Sequence, residues 1–295
     1  MANSVAPSDL ISIIIPHYQD LDRLDRCLTA LQVQNGGLNH EIIVADNNSP
    51  CGRAAVEACI AGRAQLIVET EKGAGPARNA GVRASRGDWL AFTDCDCLPD
   101  ANWLANGIRA LGKHDYVGGR VVVSLANPAA ATATEAFESV FAFDNRRYVE
   151  QKQFTVTANL FCARAQFDLV GPFHTEVSED LEWCHRSNAA GYHIGYAEDA
   201  IVSHPARENW QQLVKKWKRL NAETFSLFQD RPAGRARWLA RNLPLPLSII
   251  AHAPVIIRSK RISGMRDRVG ALSVLVAIRS WRLADSVGLL FKSRT

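Results

Sequence analysis

Asp94 and Asp96 stand one residue apart, directly after the apolar run Asp88–Thr93 and before the turn residues Leu98-Pro99-Asp100. Two carboxylates at the carboxyl end of a strand point into the crevice where open α/β sheets bind ligands. Hard oxygen donors at such a place suit Mg2+ or Mn2+ bridging a diphosphate. Short acidic pairs also occur in ordinary turns, and the buried strand in front is what favours the binding role here. Cys95, between them, points the other way and reads as a small packing residue.

Two further stretches carry chemistry. Gly73-Ala74-Gly75-Pro76-Ala77-Arg78-Asn79-Ala80-Gly81 is a glycine-rich turn running into a helix. Such a turn lets backbone approach a ligand, and a helix N-terminus favours anions. It is neither a phosphate loop with Gly-Lys-Ser/Thr nor a first-strand GxGxxG, and spacing alone leaves an ordinary loop equally open. Ser178-Glu179-Asp180 opens the amphipathic run LEWCHRSNAAG. These residues read either as a helix cap or as the carboxylate of a general base.

The elements that must position these groups follow from periodicity. Ile11–Pro16, Glu41–Asp46, Gln65–Glu69 and Asp88–Thr93 read as strands. Helical patterns lie between them at Leu21–Val33, Ala54–Ala61 and Pro76–Ala84, the last with proline in its first turn. This alternation predicts right-handed crossovers and a mostly parallel sheet covered on both faces, an α/β fold. Beyond residue 115, Tyr116–Ser124 and Thr155–Arg164 read as strands around an Ala-rich stretch that is a helix or a lid. Leu181–Ala190 reads as a helix and His193–His204 as a strand region.

At 295 residues, 47% hydrophobic and 22% charged, the chain is long enough to bury a core without staples. Seven cysteines, none in CxxC spacing, argue against a disulfide scaffold or zinc ribbon and favour reduced thiols in the cytoplasm. MANSVAPSDL has neither the basic nor the apolar region of an export signal. The net charge of +4 hides an asymmetry: 18 Lys/Arg against 5 Asp/Glu from residue 205 on, and 16 against 25 before it. An acidic body with a basic tail implies an anionic surface or ligand for the tail. Leu243–Ile257 has no formal charge but three prolines, and a basic cluster follows it (Arg258, Lys260, Arg261, Arg266, Arg268) before the apolar Val269–Ile278. Neither apolar run reaches the ~20 residues of a transmembrane helix. The tail therefore reads as a segment lying on a membrane surface or as a helical subdomain packed on the body. Charges interleaved with apolar runs rather than exposed aromatics favour lipid over nucleic acid.

Taken together, the opening Ile13–Asp20 (IIIPHYQD), Ile42–Ser49 (IIVADNNS), Gly73–Asp96 (GAGPARNAGVRASRGDWLAFTDCD) and Ser178–Arg186 (SEDLEWCHR) resemble, in order and spacing, the family 2 glycosyltransferases. The resemblance covers roughly residues 10–230. It implies a GT-A fold, Rossmann-like with a mostly parallel sheet, over residues 1–230, with residues 231–295 as a basic helical tail. It also implies an inverting enzyme that moves one sugar from a nucleotide-diphospho-sugar, a UDP-sugar first among them, to an acceptor hydroxyl with Mn2+ or Mg2+.

The implied roles run position by position. Pro16, His17 and Tyr18 line the nucleotide pocket, Asp46 bonds the base, and Arg78 holds the base or the diphosphate. Asp94 lies near the ribose and donor sugar, Asp96 ligates the metal, and His204 completes the metal site or touches the diphosphate. Asp180 is the catalytic base, with Glu179 as the fallback. Gln211–Trp217 is only a loose echo of the Q-x-x-R-W block of processive synthases, so a single addition is expected. The basic tail suggests a lipid-linked or growing glycan as acceptor, in bacterial polysaccharide biosynthesis at the inner face of the cytoplasmic membrane. Two alternatives remain: a non-catalytic nucleotide-sugar-binding scaffold, and a sugar-phosphate nucleotidyltransferase. The second would need a glycine-rich loop where Pro16–Asp20 stands.

Overall fold

The computed structural model describes residues 10–175, 178–229 and 231–291. They divide into two compact units, one built from residues 10–122, 143–175 and 179–204, the other from 123–142, 178 and 205–291. Residues 210–229 cluster with the C-terminal helices.

The first unit begins with β1 (Ile11–His17), α1 (Leu21–Gln32), β2 (His40–Asp46), α2 (Arg53–Ile60), β3 (Gln65–Val68), α3 (Ala74–Ala84) and β4 (Trp89–Phe92). Then follow β5 (Leu98–Pro99), α4 (Trp103–Leu111) and β6 (Tyr116–Ser124). The Ala-rich stretch resolves into two helices. The helix α5 (Ala133–Phe141) opens on a capping box between Thr132 and Glu135, and α6 (Asn145–Lys152) is capped by Asp144. The strand expected over Thr155–Arg164 is shorter, because Thr157–Asn159 form a 3-10 turn and only β7 (Leu160–Ala163) remains extended. The buried Asn159 side chain fixes that turn, accepting from Trp103 Nε1 and donating to the carbonyls of Arg120 and Ala200. The first unit ends with α7 (Arg164–Val170), α8 (Glu179–Ala189) and β8 (Ile194–Pro205).

The sheet order is β3-β2-β1-β4-β7-β6-β8-β5. Strands β3, β2, β1 and β4 are parallel. Beyond them β7 runs back along β4, and β6 pairs antiparallel to β7. The sheet is therefore mixed, and the parallel expectation holds for its first half. Side-chain alternation along β1 sends Ile11, Ile13 and Ile15 to one face, where α1, α2 and α4 cover them. Ile14 faces the other side with Ile43, Leu90 and Phe92, under α3, α7 and α8. Helix α3 lies so close to the sheet that a Cβ at Gly81 would come within 2.6 Å of Ile14 Cγ2.

The second unit is helical: α5, α9 (Trp210–Gln229), α10 (Gly234–Asn242), α11 (Leu247–Arg258) and α12 (Met265–Phe291). Phe137, Leu213, Ile256, Ala271 and Leu275 make its core. Among the described residues no single helix is long and apolar enough to cross a membrane. Helices α10 and α11, bent by 42°, pass that test together by length and composition.

Candidate active site

The site is assembled at the carboxyl ends of β1, β2 and β4. After β4 the chain turns at once: Cys97 N donates to Asp94 O at 3.0 Å, and β5 then pairs with β8 through Leu98↔Ser203. One step further in that antiparallel register sets His204 across from Cys97, next to the acidic pair. His204 Nε2 and Asp96 Oδ2 are accordingly 3.5 Å apart, and the histidine ring packs on Phe143 with centroids 4.5 Å apart.

The other member of the pair is held from below by α3. Arg78 is 3% exposed. Its Nη2 donates to Asp94 Oδ1 at 2.5 Å and its Nη1 to Glu179 Oε1 at 2.6 Å. Burial opposes this cation, but Asp94 and Glu179 outweigh it and hold the guanidinium above arginine's ordinary value. Arg78 therefore stays charged and ties the post-β4 turn to the first turn of α8. Glu179 and Asp180 occupy that turn, where the helix dipole favours negative charge, and Asp180 Oδ1 accepts from Leu181 N at 2.8 Å. Of these two carboxylates, Glu179 is the one paired with Arg78.

Around β1 and β2 the arrangement differs from the sequence expectation. Pro16 is buried in register with Ala45, and His17 is buried too, with Nδ1 2.7 Å from Asp46 Oδ1. Asp46 also accepts from Ser49 Oγ at 2.5 Å and Ser49 N at 2.9 Å. Its two oxygens are turned into the β2–α2 connection, and the residue is 1% exposed. Of the Pro16-His17-Tyr18 stretch only Tyr18, 53% exposed, offers open surface. Gln19 follows in a left-handed conformation, with its amide on Ser49 Oγ at 2.9 Å. Asn47 closes the rim, its side chain accepting from Gly73 N and donating to the carbonyls of Glu69 and Glu71. Two buried polar atoms at these strand ends, His17 Nε2 and Thr93 Oγ1, have no hydrogen-bond partner among the described residues.

Residues 12–168 match Glycosyl transferase family 2. The chain belongs to this family. It is 28% identical to Glycosyltransferase AglE of Haloferax volcanii over 291 residues, 95% of each protein. With the pre-mycofactocin glycosyltransferase of Mycobacterium tuberculosis it shares 28% identity over 219 residues, 70% of this chain and 45% of that one. Its fold is like that of the mannosyltransferase PcManGT from Pyrobaculum calidifontis in complex with GDP-Man and Mn2+. The TM-score is 0.62 at 17% identity, over 96% of this chain and 88% of that one. The α/β architecture is thus of the GT-A type, and the protein is a family 2 glycosyltransferase.

Within this family 2 chain, Asp96 and His204 are a carboxylate and an imidazole close enough that both could reach one divalent ion. Metal–oxygen bonds of ~2.1 Å set neighbouring donors about 3.0 to 3.4 Å apart, and the observed 3.5 Å is close to that. Among the described residues no group of three or more His, Cys, Asp or Glu side chains could hold a metal by itself. A hard cation held by one or two protein donors and a substrate diphosphate needs no such group. The thiols beside it are poor donors: burial first, then the Asp96 and Asp94 carboxylates, push Cys95 and Cys97 well up and keep them protonated.

The Arg78 bridge, the Ser49 anchor and the Asn47 staple are features of the site that no motif announces. For Ser49 a signal existed, since a serine three residues after an aspartate is a turn-capping spacing. Arg78 was singled out, but as a ligand of the base or the diphosphate rather than as the link between two acidic motifs.

Proposed function

We propose that this glycosyltransferase is inverting and moves one sugar from a nucleotide-diphospho-sugar to an acceptor hydroxyl. The observation that carries the reading is the Arg78 bridge, which brings the Asp94–Asp96 turn and the start of α8 to one end of the sheet. Tyr18 and the backbone from Gln19 to Asp20 form the open wall for the nucleotide, with Pro16, His17, Asp46 and Ser49 shaping it from behind. Asp94, held by Arg78, faces the ribose and donor sugar. Asp96 and His204 would hold Mn2+ or Mg2+, whose chemistry is to neutralise charge on the departing diphosphate.

Asp180 takes the proton of the acceptor hydroxyl while that oxygen bonds to the anomeric carbon. The bond from that carbon to the diphosphate oxygen breaks, and its electron pair leaves with the nucleotide. Attack from the face opposite the leaving group inverts the anomeric centre. Glu179 is committed to Arg78, which leaves the base role to Asp180.

The acceptor side of the reading rests on the helical unit. Leu247 and Ile250 are 70% and 74% exposed on α11, and Arg258, Lys260 and Arg261 follow. An apolar face bordered by cations supports a peripheral place at the inner face of the cytoplasmic membrane and a lipid-linked or growing glycan as acceptor.

The test is Asp180→Asn. Loss of a general base costs roughly 10²–10⁴-fold in turnover, so product formation should collapse while nucleotide-sugar binding persists. Unchanged product yield would remove Asp180 from the mechanism.

A further inference from the structure

Buried polar atoms in folded proteins nearly always have hydrogen-bond partners, so a cluster of them without partners marks a place shaped for something else. The helical unit contains such a cluster. Arg279 Nε, Arg282 Nε and Trp217 Nε1 are buried, and none has an acceptor among the described residues. Arg279 and Arg282 stand three apart on α12, which sets them on one side of the helix. The Arg282 guanidinium carbon lies 3.7 Å from the centre of the Trp217 ring on α9. That stacking fixes the plane of the fork.

No acid answers these cations among the described residues. Burial alone acts on Arg279. Burial, then Arg279 and Arg241, pull Arg282 down to about 9. The nearest acid along the helix, Asp285, accepts from Asn221 Nδ2 at 2.9 Å. Like charges gathered in a half-buried place oppose folding, and an anion seated among them relieves that repulsion.

We propose that Trp217, Arg279 and Arg282, with Arg241 at the rim, bind a phosphate group carried by a lipid. Two guanidinium forks and an indole N–H offer several donors to a tetrahedral oxyanion, the geometry that arginine serves best. Arg241 is in the last turn of α10, two residues before the exposed Leu243, and the exposed Leu247 and Ile250 follow. Headgroup-level cations beside apolar side chains are what a lipid phosphate meets at a membrane surface. The lipid source rests on the membrane reading above; the anion site itself rests on the unpartnered donors.

The full chain would be sedimented with phosphatidylcholine vesicles with and without phosphatidylglycerol, and titrated calorimetrically with inorganic pyrophosphate. The proposal expects binding to the phosphatidylglycerol vesicles. Affinity should fall roughly tenfold or more in R279Q/R282Q and a few-fold in W217F, which keeps the ring and loses the donor. R235Q, an exposed cation on α10, should fall much less. Where the double variant fails to fold by circular dichroism, R282K replaces it, with a few-fold loss expected from the missing fork. Pyrophosphate binding with the same sensitivity but no vesicle binding overturns the lipid source. Equal losses in R235Q and R279Q/R282Q, or no loss in either, overturn the site. No arm contains a nucleotide-sugar, so failure of the donor-site reading would leave these outcomes unchanged.

Discussion

Buried charge is handled in opposite ways in the two units. In the α/β unit Arg78 is enclosed and answered twice, by Asp94 at 2.5 Å and Glu179 at 2.6 Å. The helical unit has a matching case among its described residues: Glu138 lies between Arg207 at 2.9 Å and Lys216 at 3.0 Å. Along α12, however, Arg279 and Arg282 are half-buried, with their Nε atoms enclosed and no acid paired with them among the described residues. Answered charge is preorganisation: the cost of burial is met on folding, and the carboxylates wait in fixed positions. Unanswered charge is a cost left standing, which a ligand can remove.

That contrast can be broken by substitution. Arg78→Met should be the most damaging of the cation variants, because it leaves two carboxylates facing a buried gap. Removing one partner of a buried pair costs about 3–5 kcal/mol, read as a lower midpoint in denaturant. A loss below about 1 kcal/mol would mean that the bridge is not structural.

Glu138→Gln should come next, at about 1–3 kcal/mol near neutral pH. Burial opposes the Glu138 carboxylate, but Lys216 and Arg207 outweigh it and hold it below the usual range. Because its folded value is depressed, its stabilisation is present above the unfolded carboxylate value and is lost as pH falls through the folded one. The gap between wild type and E138Q should therefore narrow on acidification. A gap constant from pH 7 to pH 3 would contradict the charge assignment. Burial pulls Lys216 down further than Glu138 lifts it, so the triad has little charge to spare.

Arg282→Met should have the smallest effect, within about 1 kcal/mol of wild type in either direction. The lost stacking on Trp217 is offset by relief from Arg279 and Arg241. A loss as large as that of Arg78→Met would mean that Arg282 is as fully answered as Arg78, and the contrast between the units would fall.

The sequence made the first half of the sheet legible because each element there carries its own local signal. Ile11–Pro16 is a short β-branched run buried throughout, Leu21–Val33 repeats at helical spacing, and the Asp94–Asp96 pair follows a strand directly. The antiparallel half was not legible, since side-chain alternation is the same whichever way a strand runs. The site's central link was hidden for another reason: Arg78 and Glu179 are 101 residues apart in the chain, and only the packing of α3 and α8 on one face of the sheet joins them. Asp46 was read from its place at a strand end, but its direction was set by His17 and Ser49, through contacts that periodicity does not carry.

The central proposal is that Asp96 and His204 at the end of the sheet hold the metal of a nucleotide-sugar donor site. It is tested most directly by titrating UDP-, GDP- and dTDP-sugars into wild type and Asp96→Ala with Mn2+, Mg2+ or EDTA. The account predicts that one nucleotide-sugar binds wild type in a metal-dependent way and that Asp96→Ala loses this binding while remaining folded. Binding that is indifferent to EDTA and to Asp96→Ala, or no binding of any nucleotide-sugar, would contradict it.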